Sequence, residues 1–117
     1  MTENEVLSPR RPLTGLLVAG EKLRDAVLSG KKTITIREGW RDYRAGDKVL
    51  IGCNVLGWAT MGKITSVNCT ILKDILQKEL EADGFVNVDD AIRGLSAYYP
   101  DICLESPVTV IRWELIN

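Results

Sequence analysis

A glycine at position 30 divides two segments of different periodicity, and this junction restricts the fold more than any other feature of the chain. Before it, Leu23, Ala26 and Val27 recur at i, i+3 and i+4, the spacing of one helical face. After it, residues 32–38 alternate as a half-buried strand does: Ile34 and Ile36 point one way, and Thr33, Thr35 and Arg37 point the other. Glycine suits the position just past a helix, where the backbone turns left-handed. A helix therefore feeds directly into a strand. Lys31, Lys32, Thr33, Thr35 and Arg37 all stand at this junction. Hydroxyl and cationic groups in a row on a rigid element suit a pocket for a polar, hydrogen-bonding ligand.

The rest of the pattern surrounds that junction with short strands and helices. Residues 13–19 read as a strand, and Gly20 and Glu21 open the first helix. Residues 39–45 form a loop that holds Trp40, Arg41, Asp42, Tyr43 and Arg44. Gly46 and Asp47 then turn the chain into a strand at 48–51. Further strands are expected at 54–60 and 62–68, with Gly57 and Gly62 acting as bulges or barrel corners. Residues 70–83 read as a helix with a stripe of Ile71, Leu72, Ile75, Leu76 and Leu80, ended by Gly84. Asn87 and Asp90 make a capping pair for a second helix with Val88, Ala91 or Ile92, Leu95, and Tyr98 or Tyr99 on its apolar face. Pro100 stops it, and Pro107 precedes a β-rich segment at 108–116. Strands broken by helices without regular alternation point to an α+β fold: a small, mainly antiparallel sheet or barrel flanked by helices. Residues 1–12, including Arg10 and Arg11, read as a flexible polar tail, and residues 13–117 as one domain.

Charge and residue usage narrow the chemistry. Fifteen basic and sixteen acidic residues leave a net charge of −1, which weighs against a non-specific grip on long nucleic acid. The chain has no histidine, so it lacks the usual neutral-pH base and the commonest metal ligand. Cys53, Cys69 and Cys103 are odd in number and form no paired motif. They read as reduced, buried thiols, and neither a metal nor another cofactor is expected. The apolar run from Leu16 to Ala19 is too short for a membrane span or a signal segment, so a cytoplasmic location is expected.

The segment from Ala26 to Arg37, containing Gly-Lys-Lys-Thr-Ile-Thr-Ile-Arg, resembles ASCH domains. So do Tyr43-Arg44-Ala45-Gly46-Asp47-Lys48-Val49, Ala82-Asp83-Gly84-Phe85, Tyr99-Pro100 and the closing Val108 to Glu114. The matching order spans roughly residues 13–116. The resemblance implies a PUA-like β-barrel with a cleft against its helices, and an RNA or modified-nucleoside ligand. Within the family the chain looks most like the short bacterial N4-acetylcytidine amidohydrolases. Their catalytic lysine, threonine and acid fall on Lys32, Thr35 and Asp83. The family carries Glu where Asp83 aligns, and Glu81 is the alternative acid. Lys31, Thr33, Arg37, Trp40, Tyr43 and Glu81 are the expected substrate-binding residues.

The residue types fit amide hydrolysis. That reaction needs a nucleophile, a base, a proton donor for the leaving nitrogen and a stabilised oxyanion. Thr35 can attack once a base activates it. Without histidine the base falls to a lysine, and a carboxylate can hold that lysine or relay its proton. Arg37, on the Thr35 face, can meet the oxyanion or a base carbonyl, or pair with Asp47 or Glu114. Trp40 and Tyr43 sit beside the motif, where an aromatic ring can stack on a base. Two rival readings use the same residues: a non-catalytic RNA- or nucleotide-binding module, and a ribonuclease.

Overall fold

Five strands and three α-helices form in the computed structural model among the described residues, 13–17, 23–53 and 58–116. In chain order they are β1 (Thr14–Leu17), α1 (Arg24–Leu28), β2 (Ile34–Glu38), β3 (Lys48–Cys53), β4 (Trp58–Ile71), α2 (Gln77–Ala82), α3 (Val88–Leu95) and β5 (Pro107–Leu115). A 3₁₀ turn, Leu72–Asp74, joins β4 to the segment before α2. The strands make one sheet in the order β1-β3-β4-β5-β2. The β1–β3 pair is parallel and the other three pairs are antiparallel, so the expected mainly antiparallel, helix-flanked α+β architecture is present. No helix among the described residues is long and apolar enough to cross a membrane.

Strand alternation sends apolar side chains to both faces of this sheet. One face buries Leu16, Val49, Ile51, Ile64, Ile111 and Trp113, with Val27 from α1 packed on them. The opposite face buries Ile34, Ile36, Val108 and Val110 beneath Leu80 of α2 and Ala91 and Leu95 of α3. Each fully buried aliphatic side chain here contributes about 1.5–3 kcal/mol. β2 is an outer strand of the sheet, bonded to β5 alone among the described residues, and α2 ends beside its free edge.

Several boundaries differ from the sequence reading. β2 begins at Ile34, two residues late, because the Lys32 amide still bonds the Ala26 carbonyl of α1 at 2.8 Å. The expected helix at 70–83 is instead the end of β4, the 3₁₀ turn and the six-residue α2. The amides of Leu72 and Lys73 bond the carbonyls of Ser106 and Leu104, and Ile75 and Leu76 are extended. Leu72, Ile75 and Leu80 are buried, but Leu76 is exposed, so the stripe never formed one helical face. α3 ends at Leu95, ahead of Pro100.

β4 runs through Gly62 without a break, and its irregularity falls between Ile64 and Ser66. A Cβ on Gly62 would lie 2.5 Å from Ile51 Cδ1, so this glycine makes room for core packing rather than bending the strand. Gly30 and Gly84 do take the left-handed backbone expected after a helix, with φ of 81° and 91°. Cys69 and Cys103 are free thiols but exposed, not buried. Cys69 lies where β4 has already lost its β3 neighbour, which ends its pairing at Lys63. The tail at 1–12 with Arg10 and Arg11, the helix opening at Gly20 and Glu21, and Gly57 lie outside the described residues.

Candidate active site

The site begins with the helix-to-strand turn at Gly30. Lys32 leaves this turn just ahead of β2, where strand alternation does not yet bind it. Its Nζ donates to the Ile34 carbonyl at 2.6 Å and forms an ion pair with Asp83 Oδ1. Asp83 caps the C-terminus of α2, and its amide bonds the carbonyls of Glu79 and Leu80. Two charged groups 51 residues apart thus meet in a dry place, with 10% of the Lys32 and 7% of the Asp83 side chain exposed.

Backbone direction explains why they meet at this edge. The Trp113 amide bonds the Thr33 carbonyl, so the peptide groups of Thr33, Thr35 and Arg37 face β5. In an antiparallel ladder the intervening residues then face away. Those are Ile34, whose carbonyl holds Lys32, and Ile36, whose amide hydrogen-bonds the Asp83 carboxylate. The ion pair therefore straddles the backbone of Thr35.

Burial pushes the Asp83 carboxyl above its ordinary value of 3.8. The Lys32 charge and hydrogen bond, the Arg37 charge and the Ile36 amide pull the other way, and desolvation wins. A carboxylate held in this condition accepts a proton more readily than one in water.

The other sequence-predicted residues separate into groups. Thr35 is 3% exposed and stands opposite Ile111 on the sheet face away from α2. Arg37 follows on the same face, half-buried, opposite Thr109, with its charge acting on Asp83. The Lys32 amine is engaged by Ile34 and Asp83 rather than by Thr35. Thr33 is half-buried and Lys31 is exposed. Glu81 is exposed, whereas Asp83 holds Lys32, so the structure separates the two candidate acids.

The aromatic loop is tied to the Thr35 face. Buried Thr109 accepts from the Arg41 amide at 2.8 Å and donates to the Gly39 carbonyl at 2.7 Å. Trp40 remains 67% exposed while its indole N–H bonds the Thr70 carbonyl at 3.1 Å, which orients the ring. Tyr43 instead packs against the core and donates to the Gly15 carbonyl, so it braces the loop. Sequence reasoning passed over a second ion pair, Arg112 Nη2 with Glu79 Oε2 at 3.7 Å. Glu79 lies one helical turn before Asp83, and its partner lies 33 residues on in β5, so no local spacing in the sequence pointed to the pair.

No family model and no curated protein sequence matches the chain. Solved structures do match in shape. The ASCH domain of Lactobacillus crispatus JV V101 superposes with a TM-score of 0.70 at 10% identity, over 95% of this chain and 84% of that one. Protein EF3133 of Enterococcus faecalis V583, described by the family model DUF984, gives 0.67 at 13% identity, over 97% and 87%. Hypothetical protein PH0355 gives 0.67 at 19% identity, over 89% and 100%. The chain shares the fold of an ASCH domain.

Proposed function

We propose that this protein hydrolyses the acyl amide of an N4-acylated cytidine, releasing cytidine and a carboxylate, with N4-acetylcytidine as the reference substrate. The observation that carries this reading is the buried Lys32–Asp83 pair straddling the backbone of Thr35. The ASCH-like fold supports a nucleotide- or RNA-related ligand, and the resemblance of the Gly30-to-Arg37 motif is the ground for choosing an acylated cytidine.

The chemistry balances with these groups and one water molecule. Transfer of the bridging proton from Lys32 Nζ to Asp83 leaves a neutral amine beside a neutral acid. The raised pKa of Asp83 favours that transfer. The amine takes the Thr35 hydroxyl proton as Oγ1 attacks the acyl carbonyl, and the Arg37 guanidinium is the nearby cation for the developing oxyanion. The resulting ammonium protonates the leaving N4 as the C–N bond breaks, giving cytidine and an acyl ester on Thr35. Water, deprotonated by the same amine, then attacks the ester carbonyl, and the ammonium returns that proton to Thr35 Oγ1 as the C–O bond breaks, giving free threonine and a carboxylic acid that ionises on release. Trp40 is the ring placed to stack on the pyrimidine.

A second reading, a nucleotide- or RNA-binding module without turnover, is favoured by the burial of Thr35 and by the two partners already held by Lys32. The deciding experiment incubates the protein with N4-acetylcytidine and follows cytidine by chromatography, with Lys32→Ala and Thr35→Ala in parallel. Cytidine formed by the wild type and lost in both variants supports the hydrolase. No turnover at high enzyme concentration removes it, and cleavage of single-stranded RNA without metal would then indicate a ribonuclease.

A further inference from the structure

We infer that the Glu79–Arg112 ion pair is a positioning device for the Lys32–Asp83 pair, setting how closely the end of α2 approaches the outer edge of β2. The inference rests on reading Lys32 and Asp83 as the working groups, but not on the identity of their substrate. α2 has six residues, too few to hold its own helical structure or orientation in water. Its placement must come from what it touches. Leu80 is buried in the sheet face and fixes the depth of the helix. Apolar burial is non-directional, however, and leaves rotation about the helix axis weakly specified.

The Glu79–Arg112 contact supplies that direction. Glu79 is 12% exposed at its side chain and Arg112 35%, so the pair is less screened by water than the pairs of Arg24 with Asp25 or Arg44 with Asp42. Its two ends have informative addresses. Arg112 stands directly across from Ile34 in the β2–β5 register, and the Ile34 carbonyl is the one that holds Lys32. Glu79 offers its own carbonyl to the amide of Asp83. One ion pair therefore ties the residue that seats the acid to the place on the sheet that seats the lysine. A rotation of α2 that breaks the first contact carries Asp83 away from the second.

The test is made on the full chain by NMR, with the Ile36 amide proton and the Lys32 Nζ signal as reporters of the Asp83 contact, neither of which needs a substrate. In Glu79→Gln both signals are expected to move from their wild-type positions towards those of Asp83→Asn. Arg112→Gln is expected to cause the same displacement, and the double variant no more than either single one. A general loss of stability would lower the melting temperature without moving these folded-state signals. Unmoved signals in Glu79→Gln, or additive displacements in the double variant, would overturn the inference whatever the activity. With N4-acetylcytidine, Glu79→Gln is expected to lower kcat roughly tenfold while leaving KM within about twofold. Displaced signals in a protein whose wild type shows no turnover would remove the hydrolase reading and leave the positioning role standing.

Discussion

Two lysine–carboxylate pairs in this molecule contain the same chemical groups and have opposite consequences. Lys73 and Glu105 meet at 3.8 Å with side chains 50% and 68% exposed. Water screens that pair and solvates each partner when they separate. Lys32 and Asp83 meet where water is nearly absent, on a strand edge whose backbone completes their hydrogen bonds. Neither partner of the second pair has an inexpensive alternative, so removing one leaves the other buried without compensation. Burial, not residue type, separates a solvent-screened surface pair from one whose partners depend on each other.

The sharpest way to break this comparison is Lys32→Met. It strands a buried carboxylate and should cost about 3–5 kcal/mol in urea unfolding, and under the proposed function it abolishes release of cytidine from N4-acetylcytidine. A loss below about 1 kcal/mol would mean that the edge is wetter than the side-chain burial implies.

Asp83→Asn comes next and tests the raised pKa. A carboxyl whose folded pKa lies above 3.8 binds more protons folded than unfolded, so its contribution to stability is full below 3.8 and is lost as pH rises through the folded pKa. The stability of wild type minus that of Asp83→Asn should therefore rise as pH is lowered towards 3.8. A flat or inverted difference across acid unfolding curves would contradict the dominance of desolvation.

Under the proposed function, Trp40→Ala should weaken nucleoside binding by about 1–3 kcal/mol in calorimetry while leaving the melting temperature unchanged, because the ring is exposed. Lys73→Ala should change stability by less than about 0.5 kcal/mol, and that small change should vanish at high salt.

The parts of the fold readable in the sequence were those fixed by local chemistry. Gly30 and Gly84 announced helix ends, and Asn87 accepts from the Asp90 amide at 2.9 Å as its capping pattern implied. The misread segment at 70–83 shows where such rules stop. Its apolar spacing fits a helix, but carbonyls of Leu104 and Ser106, more than thirty residues on, capture its amides first. The candidate site was legible in the same graded way. Lys32, Thr35 and Arg37 stood out as a motif, while the contact of Lys32 with Asp83 rather than Glu81 depends on how α2 ends. Glu79 and Arg112 could not be paired without knowing that Arg112 faces Ile34.

The position of the ion pair at the sheet margin has a consequence for solubility. An outer strand presents hydrogen-bonding groups that another chain's strand can adopt, the usual beginning of edge-to-edge aggregation. Here the Ile34 carbonyl is occupied by Lys32 and the Ile36 amide by Asp83. The two side chains serve as a plug in the row of sites that an incoming strand would need. Variants that remove either one should therefore form oligomers or fibrils more readily than their lost stability alone accounts for, and size-exclusion chromatography of the folded protein would reveal it.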